Sequence, residues 1–232
     1  MSETIGVVPR HLGLILDGNR RWAHEHGVSV IEGHRQGYFN LKRIVDAAAG
    51  RGVSYISAYV FSSENWTREK SEVRHLMKLF LWILKHEVDG LNNEGIRLRI
   101  IGSRLKLGKA LVKAIHQAEE TTKDNERATL LLCLDYGGQQ EIVESIKRIA
   151  ALGIDPEDIT PELITQHLYA PDVPPVDLVI RTSGEQRISN FMLWESAYSE
   201  LLFDKAYWPD FNEKHLQAAL RVYSKRQRRF GK

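Results

Sequence analysis

Short apolar runs alternate with longer amphipathic stretches along this chain of 232 residues. Five runs rich in Leu, Ile and Val predict strands at positions 12–16, 55–61, 98–101, 130–134 and 178–180. Several of them lack polar alternation, which is typical of parallel strands buried on both faces. Apolar positions spaced three and four apart predict helices at about 34–50, 71–94, 106–122, 138–151 and 212–229. This alternation indicates an α/β fold with a mainly parallel central sheet flanked by helices.

The segment between the helix predicted at 138–151 and the strand predicted at 178–180 is rich in proline. Five of the seven prolines fall within 153–176, which predicts a loop-rich segment with one short helix near 160–168. The chain has no internal repeat and no low-complexity tract, so we expect a single domain over residues 1–232.

Composition excludes several classes of protein. A net charge of +2 is too small to indicate nucleic-acid binding, so an anion site must be local. The single cysteine, Cys133, excludes an internal disulfide and lies in an apolar run, which predicts burial. No apolar run approaches the roughly 20 residues that span a bilayer, and the first residues do not follow a signal-peptide pattern. We therefore expect a cytoplasmic location.

The first cluster of candidate functional residues comes directly after the strand predicted at 12–16. That strand runs into Asp17, Gly18, Asn19, Arg20 and Arg21. Glycine lets the backbone approach a ligand closely, and guanidinium forks suit phosphate oxygens. A carboxylate beside them would repel phosphate unless a divalent cation lay between. The segment therefore predicts a Mg²⁺–diphosphate site.

Two more polar clusters follow predicted strands. Residues 62–68 come after the strand at 55–61, and residues 181–190 after the strand at 178–180. Because ligands bind beyond the carboxyl ends of parallel strands, we expect the three clusters to share one rim of the sheet. Arg181, Arg187 and Ser189 form a candidate anion-binding set, and Ser62 and Asn65 add neutral donors.

The motifs resemble one known family. The matching segments are HLGLILDGNRRW (11–22), Gly33-His34, FSSENWTR (61–68), YGG (136–138) and DLVIRTSGEQRISNF (177–191) through Glu200. In order and over almost the whole chain, they are similar to the cis-prenyltransferases, the undecaprenyl diphosphate synthase family. The D-D-x-x-D motifs of trans-prenyltransferases do not occur.

The resemblance implies a Mg²⁺-dependent transferase that condenses isopentenyl diphosphate with an allylic prenyl diphosphate to form cis double bonds. It also implies a hydrophobic tunnel, lined in part by the helix at 71–94, and a homodimer. Because the polyprenyl product is lipophilic, peripheral membrane contact is expected.

The resemblance also implies roles for individual residues. Asp17 would hold Mg²⁺ and assist departure of the allylic diphosphate, and Asn65 is a candidate for proton removal. The allylic substrate would be bound by Gly18, Asn19, Arg20, Arg21, Trp22, His34, Ser62, Ser63, Glu64, Trp66 and Arg68. Isopentenyl diphosphate would be bound by Arg181, Arg187, Ile188 and Ser189. Glu200 would be a second Mg²⁺ contact offered by the neighbouring subunit, and Arg229 and Gly231 resemble a terminal R-x-G that reaches the partner's site.

The chain departs from the family pattern at a few positions. Val30 stands where an arginine is usual, and Asp135 and Gln139 replace the more common Asn and Arg around the YGG segment. Val60 stands where many long-chain members have a smaller residue, which favours a shorter product. Two alternatives stay open from the sequence: an enzyme that uses another acceptor or couples allylic units irregularly, and a non-catalytic partner subunit.

Overall fold

The computed structural model describes residues 6–226, and six strands within them form one parallel sheet. In chain order the strands are β1 (His11–Ile15), β2 (Tyr55–Ser62), β3 (Ile96–Ile101), β4 (Ala128–Tyr136), β5 (Leu178–Arg181) and β6 (Glu200–Phe203). Across the sheet their order is β3-β4-β2-β1-β5-β6. The predicted α/β fold with a parallel central sheet is confirmed, and so are all five predicted strands.

Eight α-helices connect these strands in the described residues. They are α1 (Asn19–Glu25), α2 (Val30–Ala49), α3 (Lys70–His86), α4 (Val88–Asn93), α5 (Lys109–Thr122), α6 (Gly138–Ala151), α7 (Pro161–Gln166) and α8 (Glu213–Lys225). Short 3₁₀ turns occupy Ser63–Thr67, Pro156–Asp158 and Trp208–Asp210. Among these helices none is both long and apolar enough to cross a membrane.

Alternate residues of each strand face two different layers. Leu12 and Leu14 of β1 pack into the larger core, together with α2, α3, α5 and α8. Gly13 faces the smaller core on the other side, where an added Cβ would lie 3.0 Å from Phe191 Cε1. Burial on both faces explains why these strands are rich in Leu, Ile and Val. Cys133 is fully buried in the smaller core, as predicted.

The register of the central strands decides where the site lies. β1 lies between β2 and β5, and Ile15 is the partner of both Tyr59 and Arg181. The chain leaves β1 toward β2 on one side and reaches β5 on the other, which makes this a switch point of the topology. The three polar clusters therefore meet at one rim, as the sequence predicts.

The structure corrects some element boundaries. The helix predicted over 71–94 is two helices, because the chain turns at Glu87 (φ −113°) between α3 and α4. The short α1 and the edge strand β6 are not predicted, since neither has a clear apolar periodicity. The helix predicted over 212–229 is described as far as Lys225, and its last predicted residues lie outside the described range.

Candidate active site

Asp17 stands two residues after β1, at the centre of the rim. Arg181 Nη2 donates to its Oδ2 at 2.8 Å, and Arg21 Nη2 donates to its Oδ1 at 3.3 Å. Burial works against the charge of this carboxylate, but the two guanidinium groups outweigh it and hold the pKa of Asp17 below its usual range. Asp17 is therefore an anion at neutral pH, fixed between two cations.

The turn that delivers Asp17 requires glycine. Gly18 has a φ of +110°, and an added Cβ would lie 2.8 Å from Tyr207 Cδ1. Glycine adopts this conformation without steric cost and lets Tyr207 pack directly on the turn. The helix α1 then starts at Asn19 and turns Arg20 and Arg21 toward the rim.

Arg181 organises the loop after β5. Its Nη1 donates to Ser189 Oγ at 2.7 Å and to the Arg187 carbonyl oxygen at 2.6 Å, while its Nε is buried without a partner. Ser189, Asn190 and Met192 of this loop have positive φ values, which are uncommon for residues with a side chain. Backbone strain of this kind is held in place by surrounding contacts and concentrates at functional sites.

Glu185 gathers two of the cations at the rim. Its carboxylate accepts from Arg21 Nη1 at 3.2 Å and from Arg187 Nη1 at 2.5 Å. The bond from Arg187 holds the pKa of Glu185 below its usual range. Arg21 from the segment after β1 is thus brought together with Arg181 and Arg187 from the segment at 181–190, around the carboxylates of Asp17 and Glu185.

A second group of basic side chains, two arginines and a histidine, lies against Glu72 of α3. Arg68 Nη1 approaches this carboxylate at 3.1 Å, Arg20 Nη1 at 3.6 Å and His34 Nε2 at 3.9 Å. Burial and the nearby Arg68 and Arg20 lower the pKa of His34 to about 4, so its ring is neutral at pH 7. Glu72 is absent from the sequence-based predictions, because its position in a helical pattern is that of an ordinary exposed residue. A diphosphate arriving here would compete with Glu72 for the same three partners.

The end of β2 supplies neutral donors and an aromatic ring. Asn65 Oδ1 accepts from the Ser62 backbone N–H at 3.1 Å, which fixes the amide of Asn65 at the start of a 3₁₀ turn. Trp66 Nε1 donates to Asp135 Oδ1 at 2.6 Å, and the other oxygen of Asp135 is buried without a partner. The departure from the family pattern at Asp135 therefore anchors Trp66.

Asn190 joins the clusters after β2, β4 and β5. Its Nδ2 donates to Glu64 Oε1 at 2.8 Å, its Oδ1 accepts from the Gln139 backbone N–H at 2.8 Å, and its carbonyl oxygen accepts from Gly138 N–H at 2.7 Å. Ser63 lies beside the same junction, next to Gly137. Asn190 lies within the motif at 177–191, but its role in joining the three clusters is visible only in the folded structure.

A cavity of about 650 Å³ opens at this rim. Nine of the predicted site residues line its polar end: Asp17, Asn19, His34, Ser62, Glu64, Asn65, Arg68, Arg181 and Ser189. The deeper wall is mainly apolar and comes from α2, α3, α4 and the sheet, including Leu41, Val60, Phe80, Ile83, Leu91, Leu98, Leu130 and Leu132. The ion pair of Lys42 and Glu87, at 3.5 Å, also lines the cavity. The volume is in the range of pockets for small organic ligands, and its two ends differ in polarity.

Several predicted residues lie outside this cavity wall. Trp22 stacks on His26 and donates to Asp210 Oδ1 at 2.9 Å, and Ile188 packs against the smaller core. Glu200 begins β6 at the opposite end of the sheet from Asp17, because Leu178 at the start of β5 is its register partner. Its carboxylate there accepts from Arg226 Nη1 at 2.7 Å. Arg229 and Gly231 lie outside the described residues.

The donor set of the site fits a magnesium ion that arrives with a diphosphate. No group of three or more His, Cys, Asp or Glu suited to a metal occurs in residues 6–226, so the described part of the chain forms no all-protein cage. Mg²⁺ in phosphate sites is commonly held by one or two carboxylates together with substrate phosphates and waters. Asp17 fits that role, because its carboxylate lines the cavity and is bonded to Arg181 and Arg21.

Comparison with known proteins agrees with this geometry. The family model described as putative undecaprenyl diphosphate synthase matches residues 15–231. The chain belongs to the undecaprenyl diphosphate synthase family of prenyltransferases. Relatives include isoprenyl transferase from Zymomonas mobilis, which is 46% identical over 99% of this chain and 94% of that protein. Isoprenyl transferase 2 from Corynebacterium efficiens is 45% identical over 97% of this chain and 94% of its own length.

Two solved structures share the architecture of this family member. Lavandulyl diphosphate synthase from Lavandula x intermedia, in complex with dimethylallyl diphosphate, superimposes with a TM-score of 0.93 at 37% identity, covering 97% of this chain and 99% of its own. A probable undecaprenyl diphosphate synthase from Campylobacter jejuni gives a TM-score of 0.82 at 28% identity with the same coverage. The structural similarity to these two proteins therefore covers nearly the whole chain, including the central sheet.

Proposed function

We propose that this chain is a Mg²⁺-dependent cis-prenyltransferase that condenses isopentenyl diphosphate with an allylic prenyl diphosphate. The observation that supports this most directly is one cavity of about 650 Å³ with two ends of opposite character. Arginines crowd its rim and aliphatic side chains line its depth, which suits a molecule with an anionic head and a hydrocarbon tail. A further relative fits this proposal, since a Thermobifida fusca protein at 42% identity is named a trans,polycis-polyprenyl diphosphate synthase.

The proposed reaction requires the protein to stabilise the negative charge of the leaving diphosphate, and it requires no covalent nucleophile from the protein. The allylic C–O bond breaks as the double bond of isopentenyl diphosphate attacks C1, and diphosphate leaves. Preorganised donors at the place where charge develops lower the barrier to such a step. Asn19, Arg20, Arg21, His34 and Arg68 would hold the allylic diphosphate. The neutral ring of His34 would act as a hydrogen-bond donor rather than as a cation.

Asp17 has a separate part in this step. Asp17 would hold Mg²⁺, which when bound supplies positive charge that offsets the charge developing on the leaving diphosphate. Asp17 remains charged because Arg181 and Arg21 bond to it, so it is ready for a cation at neutral pH. Arg181 is shared between Asp17 and Ser189, which would keep the two diphosphate sites in fixed relation.

The second substrate is a weak nucleophile and needs orientation more than activation. We assign its diphosphate to Arg181 at the end of β5 and to Arg187 and Ser189 on the loop that follows, which Arg181 binds through hydrogen bonds. A proton must then leave C2 of the isopentenyl unit. The released diphosphate accepts this proton in our proposal, and Asn65, which lines the cavity near its rim, is our candidate for positioning that step.

One chain does not hold every residue that the family resemblance assigns to the site. Glu200 is separated from Asp17 by the length of β5 and β6, so its role as a second Mg²⁺ contact requires another copy of the chain. We propose a homodimer in which Glu200, Arg229 and Gly231 serve the neighbouring site, within one domain of 232 residues. We further propose a cytoplasmic protein that contacts membranes through its lipid product.

Mass spectrometry of reaction products tests the function. Purified protein is incubated with Mg²⁺, isopentenyl diphosphate and one allylic diphosphate starter at a time. We expect a ladder of products that differ by one isoprene unit. A product formed from dimethylallyl diphosphate alone would instead show irregular coupling, and the absence of product with every starter would contradict the proposal.

Asp17→Ala tests the mechanism. We expect loss of product at all Mg²⁺ concentrations, because the carboxylate is required for the departure of diphosphate, and an unchanged circular dichroism spectrum. Asp204→Ala removes a carboxylate that accepts from the Ala206 backbone N–H, away from the cavity wall, and should keep activity. Full turnover by Asp17→Ala would refute the role given to this residue.

A further inference from the structure

The outer side of α3 carries a stripe of cations around a tryptophan. Arg74, Lys78, Trp82 and Lys85 are spaced so that they fall on one side of the helix, and all four are exposed. Trp82 exposes 42% of its surface although it is a large aromatic residue. The helix α3 therefore presents one amphipathic cationic stripe to solvent.

A second stripe begins where α5 packs beside α3. Lys109 and Lys113 are exposed in the first turns of α5, Lys106 is exposed just before the helix, and Leu105 beside it is 94% exposed. The two helices contact each other on the same side of the sheet and contribute to the same core. Their outer surfaces are therefore continuous, and we call the two stripes together the basic face.

The charge of the basic face stands out against the whole chain. Residues 70–86 and 105–117 contain the six cations of the basic face, Lys70 beside them and one Glu, a net charge of +6, whereas the whole chain carries +2. The remaining residues therefore carry a net −4. The single acid, Glu72, points inward to Arg20 and Arg68. Within residues 6–226 the six cations of the basic face form no ion pair with a carboxylate, and Lys106 Nζ lies 5.7 Å from the centre of the Trp66 ring.

The same helix that carries the outer stripe walls the cavity. On the inner side of α3, Leu76, Phe80 and Ile83 line the apolar depth of the cavity. Lys and Arg stems extend along apolar surface with their charge in water, and Trp prefers the boundary between lipid and water. Clustered cations are attracted to anionic lipid headgroups, and exposed Trp82 and Leu105 add apolar contacts that a nucleic acid would not need.

We infer that the basic face is a docking surface for bilayers containing anionic phospholipid, which holds the wall of the cavity against the membrane. The choice of a lipid partner rests on the proposed prenyl-transfer function, because that function places a lipid tail behind α3. The surface itself rests on charge and exposure alone. Docking here would bring the cavity wall to the bilayer without a membrane-spanning helix.

Vesicle flotation of the full chain, without substrate, tests the surface. Vesicles of mixed phosphatidylglycerol and phosphatidylcholine are compared with vesicles of phosphatidylcholine alone, at low and high salt. We expect binding to the anionic vesicles that weakens with salt. The combined variant Arg74→Gln, Lys78→Gln and Lys85→Gln should bind them about a hundredfold more weakly, given the usual attraction of each cation to an anionic surface.

A matched control removes the same charge elsewhere. Lys123→Gln, Lys147→Gln and Lys214→Gln change three exposed lysines outside the basic face and should bind like the wild type. Equal loss in both triple variants, equal binding to neutral vesicles, or tighter binding to duplex DNA than to anionic vesicles would overturn the inference.

The outcome for the surface is separate from the outcome for the function. Product formation from soluble short starters, measured without vesicles, should be unchanged in the α3 triple variant, which also shows that it folds. If the wild type makes product but does not bind anionic vesicles, the docking surface is wrong and the function stands. If it binds vesicles but makes no product, the proposed function fails and the surface stands.

Discussion

A pair of buried carboxylates makes stability depend on pH in a way that can be measured. Glu141 of α6 and Glu195, which follows the loop of Ser189, are hydrogen-bonded to each other. Glu141 also accepts from the Tyr136 hydroxyl and from the Tyr169 backbone N–H, whereas Glu195 Oε2 is buried without a partner. Two carboxylate anions have no proton to share, so one of the pair is protonated. Burial and then the charge of Glu141 raise the pKa of Glu195 to about 8.

The raised pKa of Glu195 makes the folded chain less stable as pH rises. Below the ordinary pKa of 4.5, Glu195 is protonated in the folded and the unfolded chain alike. As pH rises, the unfolded chain loses the proton first, while the folded chain keeps it until about pH 8. Each unit of pKa difference corresponds to about 1.4 kcal/mol, so the free energy of unfolding falls by about 3 kcal/mol between about pH 5 and about pH 8 on account of this group.

The variant Glu195→Gln removes the titrating carboxyl group that causes this pH dependence of stability. Its amide donates to Glu141 at every pH, and the carboxylate of Glu141 then has three donors. We expect the free energy of unfolding of the variant, relative to wild type, to rise by about 3 kcal/mol over the same pH range. Urea denaturation followed by tryptophan fluorescence at a series of pH values measures this difference.

The control changes a carboxylate that lies in solvent. Glu120→Gln, at a side chain 70% exposed, should keep the pH dependence of the wild type. The reasoning is refuted if the difference between Glu195→Gln and wild type stays constant from acid to alkaline pH.

Three further outcomes test the site and its packing. Gly33→Ala should destabilise the fold by about 1–3 kcal/mol in urea, because its Cβ would lie 2.4 Å from the Asn19 carbonyl oxygen, whereas Gly108→Ala meets no atom within 4 Å and should not. The ring of His34, followed by NMR, should titrate near pH 4 because it is buried beside two arginines, and a midpoint at its ordinary value of 6.5 would contradict the described geometry. Val60 lines the cavity, so Val60→Ala should lengthen the longest product and Val60→Phe should shorten it, as read by mass spectrometry; no change in either would remove Val60 from the determinants of length.

Sequence patterns were sufficient where the determinants are local. Apolar runs without alternation predict five buried parallel strands, and parallel strands necessarily bring their carboxyl ends to one edge. From these two facts the meeting of Asp17 with Arg181 could be predicted, although they are far apart in the chain. The family motifs lie at the same strand ends.

The partners of the cations required the tertiary structure. Glu72 has no distinguishing pattern in the sequence, yet it pairs with Arg20 and Arg68 from outside its helix. Glu185 lies within a family motif, but its bond to Arg21 of α1 does not follow from the sequence. The short β6 gains its order from pairing with β5 rather than from its own periodicity. Strand pairing and ion pairs between distant residues depend on which elements become neighbours.

What the sequence by itself determined is the α/β class, the rim where the polar clusters meet and the residue types there that are suited to diphosphate. The tertiary structure alone decided that α3 walls a cavity on one side and presents cations on the other, and that Glu141 and Glu195 are buried against each other. The physical reason is range: periodicity and strand direction act through neighbours in the chain, whereas cavities, burial and pKa shifts arise from the sum of contacts made by residues that only folding brings together.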